Sequence, residues 1–576
     1  MIRKAFAPTD EQQRIIEHNG SAFIAACPGA GKTRVMVERA RQLLSGRTAG
    51  QGIAFLSFTI AAVSELEDRL RRERLVETPA FPHFIGTFDA FLWQFLIAPF
   101  GLDGCAHRPR LIPDKDDRVI QPFAAAQALP LDCFDRATGA AIAAKLTRHG
   151  FRGKIAAHES SARSTRSRFL ERGELDFADA RDIALARLHN PECSAVLGCS
   201  FAARFQELIV DEAQDCNPVD LEIIRWFKEA GVPVKVICDP NQAIYGFRGG
   251  VTCELNRFAD TFDDKEKLPV TGNFRSSRHI ARGIVALRPP SMRTTIDEAV
   301  GEHRDEPIAI HILSYSGRGV PATVGAKFRE LTEAMALQAS DCPIVAATRR
   351  TGANALGHPQ DTGVRDLSYR LAVAVSDYHF SFELGGRKEA LTAIHRVILE
   401  IEGGMGRRTY HQHLAENEDA VEGWRPRVLA IAEALRFTAD RFANAEAWLS
   451  AARQLLAPLL PAGSDQSINQ RLRKNADLGA ALSAAEPNGH PARTIHSVKG
   501  MEFPAVCVVM SSATAKGILD FLTGTTAEFD NEEARKIYVG ASRAKRLLAI
   551  AVPRTQAGRL RDLMAGMDAE VIVIPV

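Results

Sequence analysis

The chain has no C-x-x-C pair among its ten cysteines, and the two nearest, Cys193 and Cys199, stand apart from other candidate ligands. That excludes zinc-ribbon and iron–sulfur spacings and reads as reduced thiols. No apolar run is long enough to cross a bilayer, and the opening residues, MIRKAFAPTDEQ, lack an apolar signal core, so a cytoplasmic location is expected. There is no low-complexity tract and no repeat of solenoid period. Net charge is nearly absent too. Lys plus Arg total 72 against 70 for Asp plus Glu, so any grip on a polyanion must come from local placement. What remains is a globular balance, 46% hydrophobic and 25% charged, over 576 residues, more than one hydrophobic core organises.

One stretch does concentrate positive charge: Lys145, Arg148, Arg152, Lys154, Arg163, Arg166 and Arg168. It is either a solvated face or a phosphate-contacting surface. Around it the patterning alternates. Apolar strands are predicted at Ser21 to Ala26, Ile53 to Phe58, Glu207 to Asp211 and Val234 to Asp239, with helices from Lys32 and Ala61. A second series falls at Ile308 to Leu313, Pro343 to Ala347, Ala505 to Met510 and Leu547 to Ala551. The expected fold is α/β, two parallel-sheet domains each interrupted by a mainly helical insertion. The first domain is placed at 1–97 and 187–264, its insertion at 98–186, the second domain at 265–350 and 488–576, and its insertion at 351–487.

Strand SAFIAA runs into Cys27, Pro28, Gly29, Ala30, Gly31, Lys32, Thr33 and Arg34 and then a helix, the setting of a phosphate-binding loop. Small residues let backbone amides point at phosphate oxygens, Lys32 reaches the β- and γ-phosphates, and Thr33 holds Mg²⁺. Ala26 stands where the strict pattern has its first glycine. A second apolar strand ends in Asp211 and Glu212, carboxylates suited to hold Mg²⁺ through water and to take a proton from the attacking water. ATP and Mg²⁺ are therefore the expected ligands.

With these residues in view, the sequence resembles the UvrD/Rep-like superfamily 1 DNA helicases. The match recurs in order through Pro8 to Gln12, Leu56 to Thr59, Gly86 to Phe91, Asp239 to Gly249, Asn273 to Ser277, Thr494 to Phe503 and Glu533 to Ala544. The resemblance implies two RecA-like P-loop NTPase domains in a 1A/1B/2A/2B-like arrangement. It assigns Gln12 to the adenine edge, Phe274 to stacking on adenine and Glu502 to the ribose. It makes Gln242 a γ-phosphate sensor and Arg275 and Arg543 the two γ-phosphate arginines, so that Lys32, Asp211, Glu212, Gln242, Arg275 and Arg543 form the catalytic set. Phe58, Thr59, Thr87, Phe88, Tyr245, Phe247 and His496 fall on the single-stranded DNA side.

Departures from the family pattern concentrate on that side: Ile60-Ala61 replaces a polar pair, and Asp89, which would repel a nearby phosphate path, stands where His is common. Ser542 replaces Thr but keeps the hydroxyl. The implied function is ATP-driven translocation along single-stranded DNA, 3′ to 5′, at single-strand/duplex junctions in DNA repair, replication restart or antiviral defence. The compact second insertion is also similar to the helicase-like subunit of Gabija-type defence systems. That likeness implies the alternative of an ATP-binding regulatory or sensor subunit beside a nuclease partner. The chain ends shortly after the last motif, so cleavage is expected to need such a partner.

Overall fold

The computed structural model describes residues 7–45, 50–77, 80–112, 115–244, 252–357, 366–382, 388–403, 410, 413, 418–438, 440–475, 478–482, 490–526 and 530–576. They fall into two compact units, one drawn from 1–88, 188–362 and 484–576, the other from 89–187 and 363–483. The second unit's segments overlap the stretches 98–186 and 351–487.

The first unit carries two six-stranded sheets. Counting only their strands, the first holds β1 (Ala22–Ala26), β2 (Gly52–Ser57), β3 (Phe84–Thr87), β4 (Phe205–Val210), β5 (Val234–Cys238) and β6 (Lys267–Val270), in the order β6-β1-β5-β4-β2-β3. The second holds β7 (Ile310–Tyr315), β8 (Ile344–Ala346), β9 (Ala492–Thr494), β10 (Phe503–Val509), β11 (Ala544–Pro553) and β12 (Val571–Pro575), in the order β9-β8-β10-β11-β7-β12. Every pairing in both is parallel. Parallel neighbours need crossover connections, and crossover helices cover the faces of such sheets, so their central strands are apolar throughout. β2 and β5 are buried along their whole length. In the second sheet Ile312, Val508 and Ile550 pack on one face while Leu313, Val509 and Ala551 pack on the other. β6 lies past residue 264 and closes the edge of the first sheet beside β1.

The second unit is mainly helical. Leu367–Phe382, Lys388–Ile401, Glu418–Ala434 and Ala445–Leu456 share a core built on Leu371, Ile394, Val428 and the fully buried Trp448, whose indole N–H donates to Leu435 O at 2.7 Å. In 89–187 the helices are supplemented by two short strand pairs, Arg110–Leu111 with Glu174–Leu175 and Val119–Ile120 with Leu129–Pro130. Among the described residues no helix is long and apolar enough to cross a membrane.

Candidate functional site

β1 ends at Ala26 and the chain turns through 27–31 into the helix Lys32–Ser45. Gly29 and Gly31 both have φ of +72°, which L side chains rarely adopt. At Gly29 close approach adds a second reason for glycine. A Cβ there would lie 2.6 Å from Arg275 Cβ and 2.7 Å from Asn273 Oδ1, and Gly29 O accepts from Phe274 N at 2.9 Å. Cys27, Pro28 and Ala30 are buried beneath the turn, and the first amides of the helix Lys32–Ser45 have no intrahelical acceptor. The loop is thus a ring of small residues over a helix N-terminus, the geometry that receives phosphate.

Gln12 is buried against this loop. Its Nε2 donates to Ala30 O at 2.9 Å, while its Oε1 accepts from Thr9 N and the Thr9 hydroxyl accepts from Gln12 N. Thr9-x-x-Gln12 is therefore a capping box that starts the helix Asp10–Glu17, and one amide both caps that helix and holds the phosphate loop. The pattern was present in the sequence, and the structure adds this second task to the expected contact with adenine. Arg34 has its guanidinium in ion pairs with Glu38 at 2.7 Å and Glu73 at 2.6 Å.

β4 delivers Asp211 and Glu212 at its C-terminal end, where open parallel sheets place their ligands. Glu212 is left-handed, φ 55° and ψ 38°, a conformation that costs a side-chain-bearing residue about 1–2 kcal/mol. It aims the carboxylate at the phosphate loop, with Lys32 Nζ 3.4 Å from Glu212 Oε1. Burial opposes the charge on Lys32, but Glu212 and Asp211 hold its ammonium above the usual lysine range. Burial also opposes ionisation of Glu212, yet Lys32 and Lys499 hold that carboxyl down at about 2. Asp211 goes the other way. Burial, reinforced by the neighbouring Glu212 charge, pushes it up to about 7.

From Glu212 a continuous set of hydrogen bonds crosses to the second sheet. Gln214 Nε2 donates to Glu212, and Gln214 Oε1 accepts from Asp239 N at 3.1 Å. Asp239, buried at the end of β5, accepts from Asn241 N at 3.0 Å, Gln242 Nε2 at 2.8 Å and the Tyr538 hydroxyl at 3.2 Å. Because the Gln242 amide gives its N–H to Asp239, its oxygen faces Arg543 and accepts from that guanidinium at 2.7 Å. Burial and the nearby Arg275 draw Arg543 down to about 9. A second crossing joins Lys499 Nζ to both oxygens of Asp215, at 2.6 and 2.7 Å. Gln214, Asp239, Lys499 and Tyr538 were not among the residues singled out from sequence. Asp239, Lys499 and Tyr538 lie inside the recognised motifs and Gln214 two residues past Glu212, and only their mutual contacts reveal what they hold.

Arg275, on the turn after the short strand Gly272–Asn273, donates through Nε to Glu502 at 3.0 Å and through Nη1 to Ser542 O at 2.9 Å. Glu502 is half-exposed, and burial is outweighed by Arg275 and Lys545, which lower its carboxyl. Phe274 is half-buried beside the phosphate loop. On the DNA side, Phe58 is half-buried and stacks on Phe88 with centroids 5.4 Å apart and planes 20° apart. Phe88 itself is buried, so it backs Phe58 and offers no open face. Thr59 caps helix Ile60–Arg72, its side chain accepting from Ala62 N, and Thr87 ends β3 half-buried. His496 Nε2 sits 3.2 Å from Ile244 O, and burial lowers its imidazole below the ordinary value. Tyr245 and Phe247 lie outside the described residues. Asp89, expected to repel phosphate, is paired with Arg181 at 2.7 Å, which neutralises much of that repulsion.

These are two α/β sheets with a phosphate loop, paired acids at a strand end, and arginines reaching over from the other sheet: the arrangement of an ATP-hydrolysing nucleic-acid motor. Residues 8–263 match the UvrD/REP helicase N-terminal domain and residues 321–555 the UvrD-like helicase C-terminal domain. The ATP-dependent DNA helicase UvrD2 of Mycobacterium tuberculosis (strain H37Rv) is 25% identical over 599 residues, covering 96% of this chain and 80% of that protein. DNA helicase II of Escherichia coli K12 is 24% identical over 293 residues, covering 48% of this chain and 39% of its own. For the ATP-dependent DNA helicase srs2 of Schizosaccharomyces pombe the figures are 23% over 307 residues, 47% and 33%. The chain belongs to the UvrD/Rep-like superfamily 1 helicases, the ATP-hydrolysing DNA helicases of that type.

Proposed function

We propose that this chain couples ATP hydrolysis to 3′-to-5′ movement along single-stranded DNA, opening duplex at single-strand/duplex junctions in DNA repair or replication restart. The observation that carries the reading is the hydrogen-bonded run Glu212, Gln214, Asp239, Gln242, Arg543, which ties the acid of one sheet to the arginine of the other. Here Gln242 and Arg543 satisfy each other, as do Lys32 and Glu212. Binding a γ-phosphate would draw Lys32, Arg543 and Arg275 toward it, so the two sheets must shift together as the charge is neutralised.

Removing Lys32 from Glu212 also removes the partner that holds this carboxyl at about 2, raising its basicity when the attacking water must lose a proton. Thr33 and Asp211 offer only oxygen donors, the set that suits Mg²⁺, and the two left-handed glycines let the loop take the tight turn that a phosphate-binding loop needs. The Nδ2 of Asn273 is buried without an acceptor near Gly29, a donor that a phosphate oxygen would satisfy. Mg²⁺ would supply neutralisation of the β- and γ-oxygens. Gln12, Phe274 and Glu502 are proposed for the base and ribose, and Phe58, Thr59, Thr87, Tyr245, Phe247 and His496 for the strand, whose bases would stack without regard to sequence. Strand displacement on duplexes bearing a 3′ or a 5′ single-stranded tail tests the polarity. Unwinding confined to the 3′ tail is expected, and preference for the 5′ tail would overturn it.

A further inference from the structure

Among the described residues, one set of side chains brings three different metal-ligating atoms to one point. A carboxylate oxygen of Asp132, the Cys133 sulfur and an imidazole nitrogen of His149 all lie within 4.8 Å of one another. The set belongs to the second unit, and no residue of the ATP or strand readings contributes to it. Asp132 and Cys133 sit on the single helical turn Leu131–Cys133, and His149 caps the C-terminal end of the helix Ala143–Arg148. Residues 134–148 separate the two parts, and the set holds one cysteine, so a reading based on paired cysteines passes over it. The chain is folded back between them by the bridge of Phe134 with Ala141 and by Ile142 N, which donates to Cys133 O at 2.9 Å.

The two oxygens of the Asp132 carboxylate differ. Oδ2 faces the Lys145 ammonium at 3.2 Å, whereas Oδ1 is buried and has no hydrogen-bond donor. Leaving a buried carboxylate oxygen unserved costs free energy that a cation beside it would recover. Lys145 can keep Oδ2 while Oδ1 acts as a ligand. Cys133 is fully buried at the margin of the small core that contains Leu129, Leu131 and Phe134. Burial, and after it the Asp132 carboxylate alongside, push its thiol up to about 12, so with no cation present the sulfur keeps its proton. A dication acts on both causes. It neutralises the Asp132 charge and takes the sulfur as thiolate, the thiol proton leaving to solvent.

The helix that His149 ends is weakly anchored. It has six residues, no side-chain cap at its N-terminus and no fully buried residue, and helices this short do not persist by themselves. Lys145 Nζ donates to Asp132 O at 2.8 Å and Gln127 Nε2 donates to His149 O at 2.8 Å, contacts that hold the two ligand-bearing segments near each other. We propose that Asp132, Cys133 and His149 bind one divalent transition-metal ion of the zinc class, as a clip that closes 132–149 and fixes the helix Ala143–Arg148 to the core of the second unit. Thiolate, imidazole and carboxylate are the donors zinc takes together, whereas magnesium and calcium prefer oxygen alone. Three protein ligands leave the fourth position to water, and the half-buried Asp132 and His149 give the ion a path of entry. The inference stands apart from the DNA-motor reading.

The test titrates the reduced chain, stripped of metal by a chelator, with Co²⁺, whose ligation by thiolate gives a near-ultraviolet charge-transfer band. Wild type should take up one ion with that band and lose the band when Zn²⁺ displaces cobalt. His149→Ala and Cys133→Ala should each bind at least about a hundredfold more weakly, because changes even to outer-shell partners cost about 10–100-fold. Cys133→Ala should also lose the band. Zn²⁺ should raise the thermal midpoint of wild type and leave that of both variants in place. His149 is half-buried, so His149→Ala carries the test if Cys133→Ala fails to fold. No thiolate–cobalt band in wild type, equal uptake by wild type and His149→Ala, or a wild-type midpoint indifferent to Zn²⁺ would each overturn the proposal.

Discussion

Replacing Tyr538 by Phe removes one buried oxygen and leaves the ring in place. Its hydroxyl donates to Asp239 at 3.2 Å and accepts from Arg288 at 3.3 Å. Neither partner is stranded by the change: Asp239 keeps Asn241 N and Gln242 Nε2, and Arg288 keeps Asp297 and Thr295 O. A hydrogen bond to a charged group contributes about 1.5–3 kcal/mol, and with both partners still served the low end applies, roughly 1.5 kcal/mol. If Asp239 is the group that orients Gln242 toward Arg543, loosening it is felt where the γ-phosphate is sensed. A loss of that size in the transition state is about tenfold in kcat, with KM for ATP nearly unchanged. The assay is steady-state ATP hydrolysis at saturating single-stranded DNA, with thermal unfolding in parallel. A lowered melting midpoint with full kcat would refute the reasoning and reduce Tyr538 to a core hydrogen bond.

Gly29→Ala should weaken binding of a fluorescent ATP analogue by about tenfold or more, since the loop must move away from Arg275 and Asn273 to admit a methyl group; wild-type affinity would show that the close approach is unimportant. Phe58→Ala should raise the single-stranded DNA concentration needed for half-maximal stimulation about fivefold or more, from a stacking contribution of about 1–3 kcal/mol per base; an unchanged value would remove Phe58 from the strand path. Lys235, enclosed with Glu207, Arg39 and His18, is drawn down by burial to about 8, whereas a lysine in the unfolded chain titrates near about 10.4. Between those values the unfolded chain holds a proton that the folded chain has released, so stability rises with pH through that window, by up to about 3 kcal/mol. The thermal midpoint followed from pH 7.5 to 10 should climb more in wild type than in Lys235→Met, and parallel curves would contradict the assignment.

The twelve strands divide by position. The eight predicted by apolar patterning are the interior strands of the two sheets, and the four not predicted, β3, β6, β9 and β12, are their four edges. Interior strands are buried on both faces and appear as continuous apolar runs, but an edge strand needs only part of that signal. β9, Ala-Arg-Thr, is nowhere fully buried, and β6 carries Lys267 and Pro269, residues tolerated at an edge. At the site, Lys32, Asp211 and Glu212 were legible because Lys32 opens the helix after a strand and a loop of small residues, and the two acids follow directly on a strand, the settings phosphate chemistry requires. The links between them were not. Gln242 and Arg543 meet across 301 residues of sequence, and no local pattern records that Asp239 receives Tyr538 or that Lys499 reaches Asp215. Phe88 shows the converse: its motif position suggested an exposed contact, and packing turned it beneath Phe58.

The central claim is that the two sheets form one ATPase whose turnover responds to a DNA strand. The direct test is steady-state ATP hydrolysis by the purified chain with and without random-sequence single-stranded DNA, alongside Lys32→Ala and Arg543→Ala. The account predicts severalfold stimulation by DNA in wild type and loss of hydrolysis in both variants, one on each sheet. Wild-type hydrolysis that ignores DNA, or an Arg543→Ala variant that turns over normally, would contradict it.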